Sequence, residues 1–123
     1  MPDGKLKKTH QFKNVYNNGQ SYANRLLVLY VWENKKPFRR IGYSVSKKVG
    51  KAVVRNRIKR LLREVYRHNK DKLKVGFDLI FIARNPIVDA SYDQIEAAVN
   101  NLFAKAGIKK GWYYEKYHFW LIN

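Results

Sequence analysis

Apolar positions along the chain change period several times, and each change marks an element. Phe12, Val15 and Tyr16 recur at helical spacing between Thr9, a candidate N-cap, and Gly19, a stop, which predicts a short first helix. Residues 25–33 (RLLVLYVWE) are almost continuously apolar and rich in β-branched and aromatic side chains, which predicts a strand contacted on both faces. One of those contacts is a candidate ligand surface. Alternation puts Val28, Tyr30 and Trp32 on one face and Leu27, Leu29 and Val31 on the other. Residues 34–37 read as a turn, and 38–46 (FRRIGYSVS) as the antiparallel return strand of a hairpin.

From residue 53 to about 69 the period becomes helical. Val54, Ile58, Leu61, Leu62 and Val65 fall on one stripe, and Arg55, Lys59, Arg60, Arg63 and Arg67 lie mostly opposite. Gly76 introduces a third strand at 77–83 (FDLIFIA), and Pro86 ends it. A last helix opens on a capping-box pattern, Ser91 with Gln94, carries Ile95, Val99, Leu102, Phe103 and Ala106 as its buried stripe, and stops at Gly107. The order of helix, strand, strand, basic helix, strand and helix predicts an α+β fold, with helices layered on a small sheet. No repeat, low-complexity block or linker divides the chain. The expected organisation is a flexible basic N-terminus at 1–8, one domain at 9–107 and an aromatic C-terminal extension at 108–123.

Charge then narrows the partner. The 123 residues hold 26 Lys+Arg against 9 Asp+Glu, and a formal charge of +17 repels itself in a compact fold without a polyanion. The longest apolar run, 26–32, is far too short to span a bilayer, and the N-terminus lacks the apolar stretch of a secretory signal, so a cytoplasmic protein without a membrane partner is expected. The absence of Cys rules out disulfides and thiolate zinc sites. Nor is there a convincing catalytic constellation. His10, His68 and His118 are scattered, Asp93 and Glu96 sit together only on the first turn of the last helix, and Gly42 and Gly50 stand alone rather than in a phosphate loop. No catalytic or metal-ligating residue is expected.

The informative segment is 44–67, SVSKKVGKAVVRNRIKRLLREVYR. A basic helix face is often no more than a solvated surface. Here the stripe is one-sided with little acidic interruption apart from Glu64, Lys47, Lys48 and Lys51 lead into a helix N-terminus that itself favours phosphate, and arginine outnumbers lysine on the helix. These features point to RNA.

The segment SVSKKVGKAVVRNRIKRLLRE, with Arg55-Asn56-Arg57 in its centre, resembles the signature region of the protein subunit of bacterial ribonuclease P. FKNVYNNGQSYANRLLVLYV at 12–31 and FDLIFIARNP at 77–86 extend the resemblance, in the right order, over about residues 7–107. It implies an enzyme whose RNA subunit removes the 5′ leader of precursor tRNA by metal-dependent hydrolysis, while the protein contributes no catalytic group. The partners implied are ribonuclease P RNA and precursor tRNA, with magnesium required by the holoenzyme and no cofactor on the protein alone. Residue by residue, it implies that Lys47, Lys48, Lys51, Arg55, Asn56, Arg57, Lys59, Arg60 and Arg63 face the RNA subunit. Phe12, Tyr16, Ser21, Asn24, Arg25, Val28 and Tyr30 match its leader-binding cleft, although Phe12 and Tyr16 also suit the core of a short helix.

The implied fold is a mostly antiparallel sheet of about four strands with three helices, including a short strand near 21–24. It is similar to ribosomal protein S5 domain 2, with a βαβ crossover through the basic helix that is left-handed, where general rules predict a right-handed one. The sequence departs from the family's pattern at GWYYEKYHFWLIN, residues 111–123. A monomer is expected in the holoenzyme, with the aromatic extension as a candidate dimer contact, an added RNA contact or an appendage without either role. A ribosomal or general RNA-packaging protein would share the charge and size, and a protein-only nuclease would cleave without RNA.

Overall fold

A strand that is apolar on both faces is most stable in the middle of a sheet, and residues 77–83 take that place. The computed structural model describes residues 3–111. Among them the order is β1 (Gly4–Lys5), α1 (Thr9–Asn18), β2 (Gln20–Ala23), β3 (Leu27–Glu33), β4 (Arg40–Ser44), α2 (Ala52–Asn69), β5 (Phe77–Ala83) and α3 (Tyr92–Ala106). Two 3-10 turns, Lys70–Lys72 and Asn85–Asp89, flank β5. The sheet order is β1-β4-β5-β3-β2. β5 runs antiparallel to β3 and parallel to β4, β2 is antiparallel to β3, and β1 is parallel to β4.

This order corrects two expectations. β3 and β4 do not form a hairpin, because β5, with Asp78, Leu79, Ile80 and Phe81 all buried, lies between them. The intervening turn spans the width of β5, braced by Asn34, whose Oδ1 accepts from Lys36 N–H at 2.8 Å and whose Nδ2 donates to Asp78 Oδ1 at 2.8 Å. The sheet is also mixed and five-stranded rather than mostly antiparallel with four strands. The fifth strand comes from the segment read as a flexible N-terminus. Gly4 N–H donates to Arg39 O and Leu6 N–H to Ile41 O, and the Leu6 side chain is buried. The expected β4-α2-β5 crossover is present.

Cover on the two faces of the sheet is unequal. Leu27, Leu29, Val31, Ile41, Leu79 and Phe81 are buried on one side, beneath Ile58, Leu62 and Val65 of α2 and Ile95, Val99, Leu102 and Phe103 of α3. These are the helical stripes that the sequence predicts. On the other face, among the described residues, α1 is the one helix that packs, with Val15, Ile80 and Leu6 as a small second core. α3 begins on the predicted capping box, Gln94 N–H donating to Ser91 Oγ at 3.2 Å and Ser91 N–H to Gln94 Oε1 at 2.9 Å, and ends at Gly107 in the left-handed region (φ 69°). α1 starts differently. Thr9 is its first helical residue, and Gln11 Oε1 accepts from the backbone of Lys7 and Lys8. Among the described residues no helix is long and apolar enough to cross a membrane.

The most demanding polar group in the sheet is Asp78, fully buried on β5. Arg40 Nε and Nη2 donate to its two oxygens at 2.9 and 2.6 Å, and Asn34 adds a third bond. Breaking such a pair leaves an uncompensated charge. Asp78→Ala is expected to lower unfolding stability by about 3–5 kcal/mol in urea titration. The double variant Arg40→Met/Asp78→Leu should recover most of that loss, and equal losses for the two would show that the pair itself carries the stability.

Candidate nucleic-acid interface

The thinly covered face is an aromatic strip. Strand register places Ser21, Tyr30, Ile80 and Gly42 in one row across four strands, and Ala23, Val28, Ile82 and Ser44 in the next. α1 crosses the first row. Phe12 lies against Gly42, where an added Cβ would come within 2.7 Å of the ring, so only glycine lets the ring sit this low. Tyr16 meets Tyr30 edge to face at 5.0 Å between centroids, and Phe12 stands 6.5 Å from Tyr16. Burial pushes the Tyr16 phenol above its ordinary range, outweighing the Ser44 hydrogen bond that acts in the opposite sense. A neutral phenol is compatible with a polyanion. The second row remains open beside these rings, with Val28, Ile82 and Ser44 half-exposed and Ala23 exposed.

Phe12, Tyr16, Ser21, Val28 and Tyr30 are thus brought together on this face, and Arg25 is exposed on the β2–β3 turn at its end. Asn24 is not among them. Its Oδ1 accepts from the backbone of Leu26 and Leu27, and its Nδ2 donates to Ala98 O at 2.9 Å and Asn101 Oδ1 at 3.0 Å, so the side chain ties the turn to α3. Arg84 and Lys105 donate to the same turn, at Asn24 O and Ala23 O. Sequence reasoning missed Ser44 and Ile82. Alternation along β5 puts Ile82 on the face of Ile80, but only the strand order brings that face beside Tyr30.

The basic helix forms the second surface. Lys47, Lys48 and Lys51 are exposed on the connection between β4 and α2, which starts where Ser44 ends the open row. Asn56, Arg60 and Arg63 are exposed on α2, while Arg55 and Lys59 are half-buried on the flank. Arg55 Nε donates back to Gly50 O at 3.2 Å. Arg57 departs from the stripe. At about 100° per residue it falls on the other flank, and its Nη2 donates to Val88 O at 2.9 Å, bridging α2 to the 3-10 turn after β5. Among the described residues, Asp78 is bonded to Arg40 and Asn34 and Glu96 to Asn69, while Glu64 pairs with Arg67 at 3.9 Å. His68 Nδ1 is hydrogen-bonded to Tyr92 Oη, and His118 lies outside the described residues. No group of three His, Asp or Glu that could hold a metal ion occurs among the described residues.

The sequence model of the family described as Ribonuclease P matches residues 2–107. A "Ribonuclease P protein component" of Clostridium botulinum (strain Loch Maree / Type A3) is 55% identical over 109 residues, which cover 88% of this chain and 98% of the relative. Among solved structures, the Staphylococcus aureus ribonuclease P protein superposes with a TM-score of 0.81 at 37% identity, covering 89% of this chain and all of that one. The Thermotoga maritima ribonuclease P protein gives 0.77 at 28% identity, over 82% of this chain and 96% of that one. A match this long, which takes in both the aromatic strip and the basic helix, settles the relationship: the chain belongs to the ribonuclease P protein family.

Proposed function

We propose that the chain works, as the protein component of ribonuclease P, by holding two RNAs on two surfaces. The basic connection and the exposed cations of α2 bind the RNA subunit, and the strip between α1 and the open sheet rows takes the single-stranded 5′ leader of precursor tRNA. The observation that carries this reading is the pairing of an open aromatic strip with a separate cationic helix in a chain of charge +17. Aromatic faces stack on unpaired bases with little sequence preference, and cations neutralise phosphate whatever the sequence. Hydrolysis belongs to the RNA subunit with its magnesium, and no side chain of this protein is assigned to it. The cytoplasm is the setting that this role implies. The left-handed crossover of the S5-like fold belongs to the same proposal. The dimer contact expected of the aromatic extension falls on residues 112–123, outside the described residues.

A general RNA-packaging role would use the cationic surface alone. Precursor and mature tRNA present phosphates in abundance, so phosphate contacts do not tell them apart. Tyr30→Ala in the reconstituted holoenzyme is expected to weaken precursor binding about tenfold and mature tRNA binding hardly at all, since one base stack contributes roughly 1–3 kcal/mol. Tyr30→Phe should be mild. Equilibrium binding of both ligands in calcium checks this, and an equal loss for both would reduce Tyr30 to a scaffold role.

For α2, Arg60→Ala should lower affinity for the RNA subunit, reduce the slope of log affinity against log salt by about 0.7 to 0.9, and leave thermal unfolding unchanged. Arg57→Ala should in addition cost about 1 kcal/mol of stability, because its bond to Val88 O is lost. An unchanged salt slope for Arg60→Ala would remove that residue from the interface.

Asn24→Ala tests the reassigned turn. It is expected to destabilise the fold by about 1–3 kcal/mol, since two backbone N–H groups lose their acceptor, while leaving the ratio of precursor to mature tRNA affinity unchanged. Denaturant titration and the same binding assay separate the two effects.

A further inference from the structure

A second concave surface lies on the opposite side of the sheet from the aromatic strip. β1 is only two residues long, and its last residue, Lys5, pairs with Ile41. Beyond that point, among the described residues, the edge of β4 has no neighbouring strand. A cleft of about 310 Å³ therefore opens between this edge and the C-terminal half of α2. Ile41, Tyr43 and Tyr66 supply its apolar and aromatic walls, and Lys5, Arg63, Arg67 and Lys70 its cations. Tyr66, Arg67 and Lys70 follow Arg63 by three, four and seven residues, so one face of α2, continued by Lys70 at its C-cap, carries them all.

Among the described residues, the cations around the cleft outnumber their carboxylate partners, and the one ion pair they make is between Arg67 and Glu64, at 3.9 Å. The carboxylate lining the cleft, Asp3, is consumed by Arg39 at 3.3 Å and by the Tyr66 hydroxyl, which donates to it. Arg39 is itself buried and donates also to Leu73 O and Lys74 O, so this network is fixed in the fold. Burial pushes both the Tyr43 and the Tyr66 phenols up, and they remain neutral. Tyr43 stacks on Phe81 with ring planes 13° apart, and the exposed Arg63 guanidinium stands 5.9 Å from the Tyr43 centroid. The combination is an aromatic slot under a mobile-length, stackable cation, with further cations around its mouth. Its volume is at the lower end of the roughly 300–1,000 Å³ of ligand sites, which suits one base with its sugar and not a duplex edge.

We propose that this cleft receives a single unstacked nucleotide of the RNA subunit, its base against Tyr43 and Tyr66 and its phosphate on Lys5, Arg67 and Lys70. The site extends the RNA surface of α2 from Arg63 to the helix C-terminus and around to β1. It rests on the reading of α2 as the helix that faces the RNA subunit. A free mononucleotide presents the same chemistry, so the test has to distinguish the two sources.

The full-length protein is bound at saturation to RNA subunit substituted with 4-thiouridine, irradiated, and digested for mass spectrometry. The expected result is crosslinks at Tyr43 or Tyr66, and a yield about tenfold lower in Lys5→Glu/Lys70→Glu, which reverses an exposed and a half-buried cation of the cleft. Adenosine 5′-monophosphate, titrated into the protein alone, is the second arm, read by NMR at the two tyrosine rings. RNA crosslinks confined to the rest of α2 would overturn the inference and leave the proposed function standing. Failure of the RNA to bind at all would overturn both. Ring shifts with the mononucleotide but no crosslink from bound RNA would also overturn it, and would mark a site for free nucleotide instead.

Discussion

The structure depends on how β5 is buried. Its residues from Asp78 to Phe81 are inaccessible, so the strand requires a neighbour on each side and cover on each face. α2 and α3 supply full cover on one face, and a ten-residue α1 supplies partial cover on the other. The shortfall leaves the surface to which leader binding is assigned in the proposed function. Ile82 and Val28 remain half-exposed in the row beside Tyr30, which Tyr16 of α1 meets edge to face. Gly42 enters the same balance, since it lets Phe12 lie low enough for α1 to dock with Val15 fully buried.

Charge is distributed by the same logic. Several cations are tied into the fold: Arg39 to Asp3 and two carbonyls, Arg40 to Asp78, Arg57 to Val88 O, and Arg84 and Lys105 to the turn at Ala23 and Asn24. Others, including Lys47, Lys48, Lys51, Arg60 and Arg63, are exposed along one edge of the molecule, leading from the end of β4 onto α2. Self-repulsion among them raises the free energy of the isolated protein and is relieved when a polyanion binds. The same surface continues past Arg63 to Arg67 and Lys70, beside an aromatic cleft.

Much of this was legible in the sequence, where the reading depended on local period. The stripes of α2 and α3, the Ser91 cap, the Gly107 stop and the two faces of β3 need only neighbours in the chain. What escaped was non-local. Residues 38–46 carry a turn and an alternating pattern that suit a hairpin, and nothing within them reveals that β5, more than thirty residues later, will take the place beside β3. Gly4 and Lys5 are too short a stretch to announce a strand, and their pairing partner lies on β4. Asn24 enters the cleft set through the family resemblance alone, and the partners of its side chain, Ala98 and Asn101 on α3, are far from it in sequence. Arg57 sat within a basic signature that suggested a common role, whereas helical geometry turns it away from Arg60 and toward Val88.

In the proposed function this protein acts through the RNA it holds. Single-turnover cleavage of precursor tRNA, measured across a magnesium series with the RNA subunit alone and with the protein added, tests it most directly. The account predicts that nuclease-free protein without RNA gives no cleavage, and that its addition shifts the RNA-dependent reaction to lower magnesium because protein cations replace metal ions at phosphates. Cleavage that survives complete removal of RNA and disappears on substitution of a protein side chain would contradict it.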